Sequence, residues 1–183
     1  SWRPTNDGRP HRLTATGIYE LPFGKGRRWA TNGWVDRVAG GWQIAATYEY
    51  QPGPLLTFGN QFYHGNDVNN INTGERTFDR WFNTADFERN AARGPAAFHR
   101  RVFPTRIDGL RADMTNQWNA NLQKNIQLRE GMSLQLRLDA LNLANRSQMA
   151  GPTLDPFNQT FGQITSQTSA TNRFIQIQAR IVF

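Results

Sequence analysis

The side chains most able to do chemistry are few. His11, His64 and His99 are the three histidines, and they stand at no metal-ligand spacing. Asp67, Asn69, Asn70, Asn72 and Glu75 gather oxygen donors in one stretch, with Gly74 to permit a turn. Calcium takes roughly six to eight oxygens, and an EF-hand sets them at fixed loop positions around a glycine. The present spacing misses that pattern, so an Asn-rich turn is the simpler reading and calcium the competing one. Gly24-Lys25-Gly26 lacks the strand, the GxxxxGK[ST] run and the helix of a phosphate loop. No serine lies in a Gly-x-Ser-x-Gly elbow. Asp108 and Asp113 are a carboxylate pair of the kind any β protein offers. Nucleophile, base and acid form no set, so the chain reads as a non-enzyme with no metal or cofactor.

Alternation says more than the donors do. In the segment 173–183, Ile175, Ile177, Ala179, Ile181 and Phe183 take every second position, with Gln176, Gln178, Arg180 and Val182 between them. Period two is the strand period, and it gives one apolar and one polar face. The same reading predicts strands over 11–21, 42–51, 114–128 and 132–144. In the first, Leu13, Ala15, Gly17, Tyr19 and Leu21 oppose Thr14, Thr16 and Glu20. In the second, Trp42, Ile44, Ala46, Tyr48 and Tyr50 oppose Gln43, Thr47 and Glu49. The third carries Trp118, Ala120, Leu122, Ile126 and Leu128 on its apolar face, with Lys124 as the one charge there. Arg129-Glu130-Gly131 is short enough for a hairpin turn. Leu134, Leu136, Leu138 and Ala140 continue the apolar face, and a phase slip at Leu141 and Leu143 suggests a bulge. A helical turn is expected over Trp34–Ala39, and Leu55–Phe58 could prolong the second strand.

Two connections are long, 52–111 and 146–172. The first mixes Asn, Gly and Arg with Phe62, Tyr63, Trp81, Phe82, Phe87, Phe98 and Phe103. So long a connection is rare in a compact soluble domain, and its aromatics argue against disorder. The 183 residues contain no cysteine, which removes disulfides and thiolate metal sites. The net charge is +7, but its Lys and Arg are scattered among Gln, Asn and Thr, so no nucleic-acid partner is expected. No apolar run approaches the ~18 residues of a membrane helix. That excludes helical spanning but not spanning by strands that are apolar at alternate positions.

The connections alternate in length in the manner of bacterial outer-membrane barrels, whose periplasmic turns are short and extracellular loops long. The expected fold is therefore all-β: an antiparallel meander of about five strands forming part of a transmembrane β-barrel, with long extracellular loops. Residues 1–183 then form the C-terminal segment of such a barrel. With the 130 turn on the periplasmic side, Tyr48, Tyr50 and Trp118 fall near the outer interface and Tyr19 and Trp42 near the inner one, as an aromatic girdle requires. Lys124 falls near the periplasmic turn, where its stem could snorkel to lipid headgroups. The opposite faces are mostly Gln, Asn, Ser and Thr, which suits a wet lumen. About five strands are fewer than the eight of the smallest bacterial barrels, and Ser1 follows no signal peptide. A processed or partial chain is expected, with strands missing upstream or supplied by a partner.

The run from Pro10 to Arg27, with Gly40-Gly41-Trp42-Gln43-Ile44, resembles late barrel strands of TonB-dependent receptors, more narrowly the Oar-like type with a carboxypeptidase-regulatory-like domain. Trp81 to Phe87 resembles a recurrent piece of their long extracellular loop. Asn121 to Asn125 and Asp139 to Arg146 resemble the strand pair before the closing strand. The resemblance implies a 22-stranded, plugged barrel in the bacterial outer membrane, with TonB engaged through N-terminal parts that this sequence does not show. It selects no ligand. It also implies that Phe183, Ile181, Ala179, Ile177 and Ile175 form the signal read by the barrel-assembly machinery. Outer-membrane lipid and lipopolysaccharide are the expected surroundings. In the long loop Trp81, Phe82, Arg93, Arg100 and Arg101 are candidate contacts for an unknown ligand through stacking and charge, or for lipopolysaccharide phosphates, or they pack the loop against itself. Two rivals stand beside the barrel: a soluble all-β binding or adhesin domain, and an interaction subunit that completes its sheet on a partner chain.

Overall fold

A computed structural model describes residues 8–24, 28–29, 34, 38–168 and 172–183. The chain divides into a strand unit and a loop unit. The strand unit is one antiparallel sheet of five strands in sequence order: β1 (Leu13–Glu20), β2 (Trp42–Gln51), β3 (Thr115–Arg129), β4 (Met132–Leu141) and β5 (Phe174–Val182). The sheet is not closed, and β1 and β5 are its two edges.

Register decides whether five alternating patterns make one surface, because a slip of one residue would turn a strand inside out. The apolar positions keep their alignment across the paired strands, apart from one register shift at the β3 end of the β3–β4 ladder. Leu13, Ala15, Gly17 and Tyr19 stand opposite Tyr50, Tyr48, Ala46 and Ile44. Ala120, Leu122 and Ile126 stand opposite Ala140, Leu138 and Leu134. Leu134, Leu136, Leu138 and Ala140 stand opposite Ile181, Ala179, Ile177 and Ile175. Between β2 and β3 the Asn125 N–H donates to the Gly41 carbonyl at 2.9 Å, and Tyr48 stacks on Trp118. Gly41 has φ +72°, and a Cβ there would press into the Asn125 carbonyl oxygen. Only glycine lets the chain enter β2 at that point.

One expectation about irregularity is corrected. The bulge lies in β3, where the register shifts between Gln127 and Arg129, and not near Leu141. Gly131, at φ 75°, completes the turn beside it, the usual partnership of a bulge with a left-handed glycine. The phase slip at Leu141 is the end of β4. Asn142, buried and at φ 50°, donates through Nδ2 to the Arg146 carbonyl and accepts the Arg146 N–H at Oδ1. A side chain thus replaces the ladder, as asparagine does in turns.

Both long connections contribute to the loop unit, through residues 51–115 and 147–169. It has its own core, in which Phe58, Ile71, Phe82 and Leu110 are fully buried. Phe82 meets Phe58 edge-on at 5.5 Å between centroids and Phe161 at 5.3 Å, and Phe87 meets Phe161 at 5.0 Å. Edge-to-face contact is the favoured geometry for such rings and adds to their burial. Leu55, Leu56 and Phe58 are buried in this unit and do not prolong β2. The helical turn expected near Trp34 is helical at Trp34, Val38 and Ala39, and its middle lies outside the described residues. Lys25, Gly26 and Arg27 of the first connection also lie outside them.

Candidate membrane-facing and loop surfaces

The strand unit presents two chemically distinct faces. The aligned alternation makes the first nearly all hydrocarbon and aromatic, and it is open: Ile177, Tyr19 and Leu13 are 78%, 61% and 56% exposed. An apolar face of this extent is unstable against water and needs lipid or protein over it. Tyr48 and Trp118 stack at 4.4 Å with 30° between planes. They and Tyr50 lie where β2 leaves for its long connection, while Trp42 and Tyr19 lie toward the opposite end. Along β2 the rise from Trp42 to Tyr50 is about 27 Å, or about 20 Å along the normal for a strand tilted ~40°, against an apolar band ~25 Å tall. Ile175, Ile177, Ala179, Ile181 and Phe183 lie exposed on the same face of the edge strand or its end.

Lys124 is the exception on this face, and its environment corrects the sequence reading. It is buried, and its Nζ donates to the carbonyls of Val38 at 2.7 Å and Gly40 at 2.8 Å. The ammonium also sits 5.0 Å from the Trp42 ring centroid. The Trp42 Nε1–H donates to the same Val38 carbonyl at 2.9 Å. Lys124 therefore closes the carbonyl end of the turn before β2 and does not reach outward to headgroups, since its donors are held within the fold.

The second face is a field of amides and hydroxyls. Asn121 Nδ2 donates to Asp139 Oδ1 at 2.6 Å, and the Arg137 guanidinium binds the same carboxylate at 2.9 Å. Gln135 donates to Asn125, and Thr16 faces Thr47. A concave cleft of about 370 Å3 lies here, lined in part by Gln43, Thr47, Asn119, Asn121, Arg137 and Asp139. The hollow falls on the face that carries these polar side chains.

In the loop unit the five candidate contact residues separate. Trp81 and Phe82 are buried. The Trp81 Nε1–H donates to the Arg111 carbonyl at 2.7 Å. Arg101 spends its guanidinium on the carbonyls of Phe58, Gly59 and Phe103. Arg93 and Arg100 are exposed. These loops have few ladder bonds, so their carbonyls need other donors, and arginines supply several. Arg76 donates to the Gly109 carbonyl at 2.8 Å, and Arg111 to the carbonyls of Gly8 and Gly53. Burial lowers the Arg76 pKa from its ordinary value.

Asp67 caps the short 3-10 helix Val68–Ile71 by accepting the Asn69 N–H at 2.9 Å, and Asn72 donates to the Asp108 carbonyl. The oxygen-rich stretch is therefore organised as a turn. No group of three or more His, Asp or Glu side chains that could hold a metal occurs among the described residues. Tyr63 donates to the Asp67 carbonyl, and burial, with Asp86 and Asp67 nearby, raises its pKa. The Glu88 carboxylate accepts the Asn90 N–H at 2.8 Å, which lowers its pKa against a partial desolvation, helped by Arg93 and His64.

No helix among the described residues is long and apolar enough to cross a membrane, which leaves crossing by strands untouched. No curated protein and no solved structure matches the chain. The family model for an outer membrane beta barrel domain matches residues 1–176. With one aligned apolar face, one amide face and an unclosed meander, the chain belongs to the outer membrane beta barrel domain family.

Proposed function

We propose that this chain is the C-terminal wall of a TonB-dependent receptor of the Oar-like type, supplying barrel strands and the extracellular loops that meet ligand. Membership of its family makes it a protein of the bacterial outer membrane. The observation that supports the finer reading is the open sheet: among the described residues, five strands share one apolar face and leave both edges unpaired by further strands. An outer-membrane sheet must close, because lipid offers its edges no hydrogen bonds. Further strands must come from elsewhere, and the motifs in Pro10–Arg27 and Asp139–Arg146 resemble receptors large enough to provide them. In this reading β5, with its outward Ile175, Ile177, Ala179 and Ile181, is the strand offered to the assembly machinery. TonB acts through other parts of the receptor, and the loops face lipopolysaccharide and ligand.

The same open edges suit a subunit that completes its sheet on a second chain. The denatured mass of the polypeptide in an outer-membrane fraction, detected with an antibody to residues 62–103, separates the two. A band far above 20.9 kDa is expected. A band at 20.9 kDa would overturn the receptor reading in favour of the interaction subunit.

A further inference from the structure

The connection from β1 to β2 ends on the apolar side of the sheet. Lys124 and Trp42 both belong to that face: Lys124 stands opposite Leu136 in the β3–β4 ladder, and Trp42 alternates with Ile44 and Ala46 along β2. Side chains that leave a strand on one face meet groups lying on that side of the sheet. Lys124 Nζ reaches the Val38 and Gly40 carbonyls at 2.7 and 2.8 Å, and Trp42 Nε1 reaches the Val38 carbonyl at 2.9 Å. The chain at Val38–Gly40 therefore folds back over the outside of the sheet, against the face that an outer-membrane barrel turns to lipid. Lys124 is buried where this segment and the Trp42 ring meet it.

Trp34 and Val38 are both helical and four residues apart, the spacing that sets two side chains on one face of a helix. They are 75% and 62% exposed. The Val38 and Gly40 carbonyls at the end of the turn are, by contrast, satisfied from within by Lys124 and Trp42. Closed backbone groups beneath open apolar side chains are what a segment resting on hydrocarbon requires, because lipid offers no hydrogen bonds. The level fits as well. This connection leaves the sheet at the end opposite the two long connections, the end that also holds the Gly131 turn. Long loops are extracellular in such barrels, so this end is periplasmic. Trp42, beside the turn, is a candidate for the inner girdle. Tryptophan favours the headgroup level, because its ring is apolar and its N–H polar.

We propose that Trp34 and Val38 seat this turn in the headgroup zone of the periplasmic leaflet, where glycerophospholipid covers them. The connection is then an anchor lying on the membrane, not a turn at the barrel mouth, and it sets how deep the wall stands at β2. The proposal rests on the barrel reading of the strand unit and needs neither a transported ligand nor TonB. It is tested with nitroxide labels on Trp34→Cys, Val38→Cys, Ile177→Cys and Glu130→Cys, made singly in the full-length protein and reconstituted in phosphatidylethanolamine–phosphatidylglycerol vesicles. Paramagnetic resonance reads collisions of each label with oxygen, which concentrates in lipid, and with a nickel chelate, which stays in water. Ile177, 78% exposed on the apolar face, is the lipid reference, and Glu130 in the exposed turn is the water reference. The oxygen-to-chelate ratio at positions 34 and 38 should stand severalfold above that at 130 and approach that at 177. Heat-modifiable migration in gels selects folded variants, and either of the two labelled positions carries the test alone. Ratios at 34 and 38 equal to that at 130, with 177 in lipid, would overturn the anchor and spare the barrel. Few collisions with either reagent would mean that protein covers the turn, and would overturn the anchor too. A water-like label at 177 would overturn the barrel reading and the anchor with it.

Discussion

Replacing Lys124 with methionine separates two accounts of the same residue by the sign of the effect. Methionine keeps most of the stem's packing and removes the ammonium. The Val38 carbonyl retains the Trp42 indole N–H, but both carbonyls lose the lysine. Hydrogen bonds to charged groups contribute about 1.5–3 kcal/mol each, and relief of the buried charge offsets part of that loss. A net destabilisation of about 2–3 kcal/mol follows. At ~1–3 kcal/mol/M for urea, the unfolding midpoint should fall by about 1 M. The assay is a urea titration of the full-length protein in detergent, read by loss of the fast-migrating folded band. Had Lys124 faced lipid, the substitution would remove a charge costing up to ~2–4 kcal/mol and would raise the midpoint. An unchanged or raised midpoint would refute the capping role.

Two further perturbations address the loop unit. Phe82→Ala empties a fully buried position between Phe58 and Phe161 and should cost about 3–5 kcal/mol there. Limited proteolysis should then cut within 51–115 at least a hundredfold faster while the strand unit stays protected; equal cutting rates would show that the core does not hold the loops. Because the Asn90 N–H keeps the Glu88 pKa below its ordinary value, the folded loops favour the carboxylate. Its contribution is complete above the ordinary glutamate range and is lost as pH falls through the lowered value. Loop proteolysis should accelerate on acidification in wild type and less so in Glu88→Gln, which keeps the acceptor without the charge; identical pH profiles would exclude this linkage.

The sheet was legible because its information is local. Alternation at Leu134, Leu136, Leu138 and Ala140 can be read without knowing the partner strand, and a polar or apolar face follows from spacing alone. Lys124 was visible as the one charge on that face, but its acceptors are backbone carbonyls 84 and 86 residues away, and carbonyls leave no mark in a sequence. The same reason hid the arginines. Arg101 looks like a ligand-binding cation until the carbonyls of Phe58 and Gly59 are placed beside it. Trp81 and Phe82 carry no period, since loops have no repeating geometry to impose one, so core and surface aromatics look alike there.

The loop core also imposes an order of events. Phe161 completes the cluster of Phe58, Phe82 and Phe87, yet it lies far beyond them in the chain, so closing this nucleus must bring two distant segments together. Forming β3 and β4 as a hairpin shortens the wait. Within the loop unit Gln148 reaches Thr115 at 3.1 Å and the Met149 N–H reaches Asp113 at 3.0 Å, and these residues flank that hairpin in the chain. Once the hairpin zips, the intervening segment no longer counts as slack, and the entropy of bringing the two connections together has largely been met. A slow step in maturation should therefore track hairpin formation rather than the hydrophobicity of the loops, and loosening the turn at Glu130 should delay closure of the loop core.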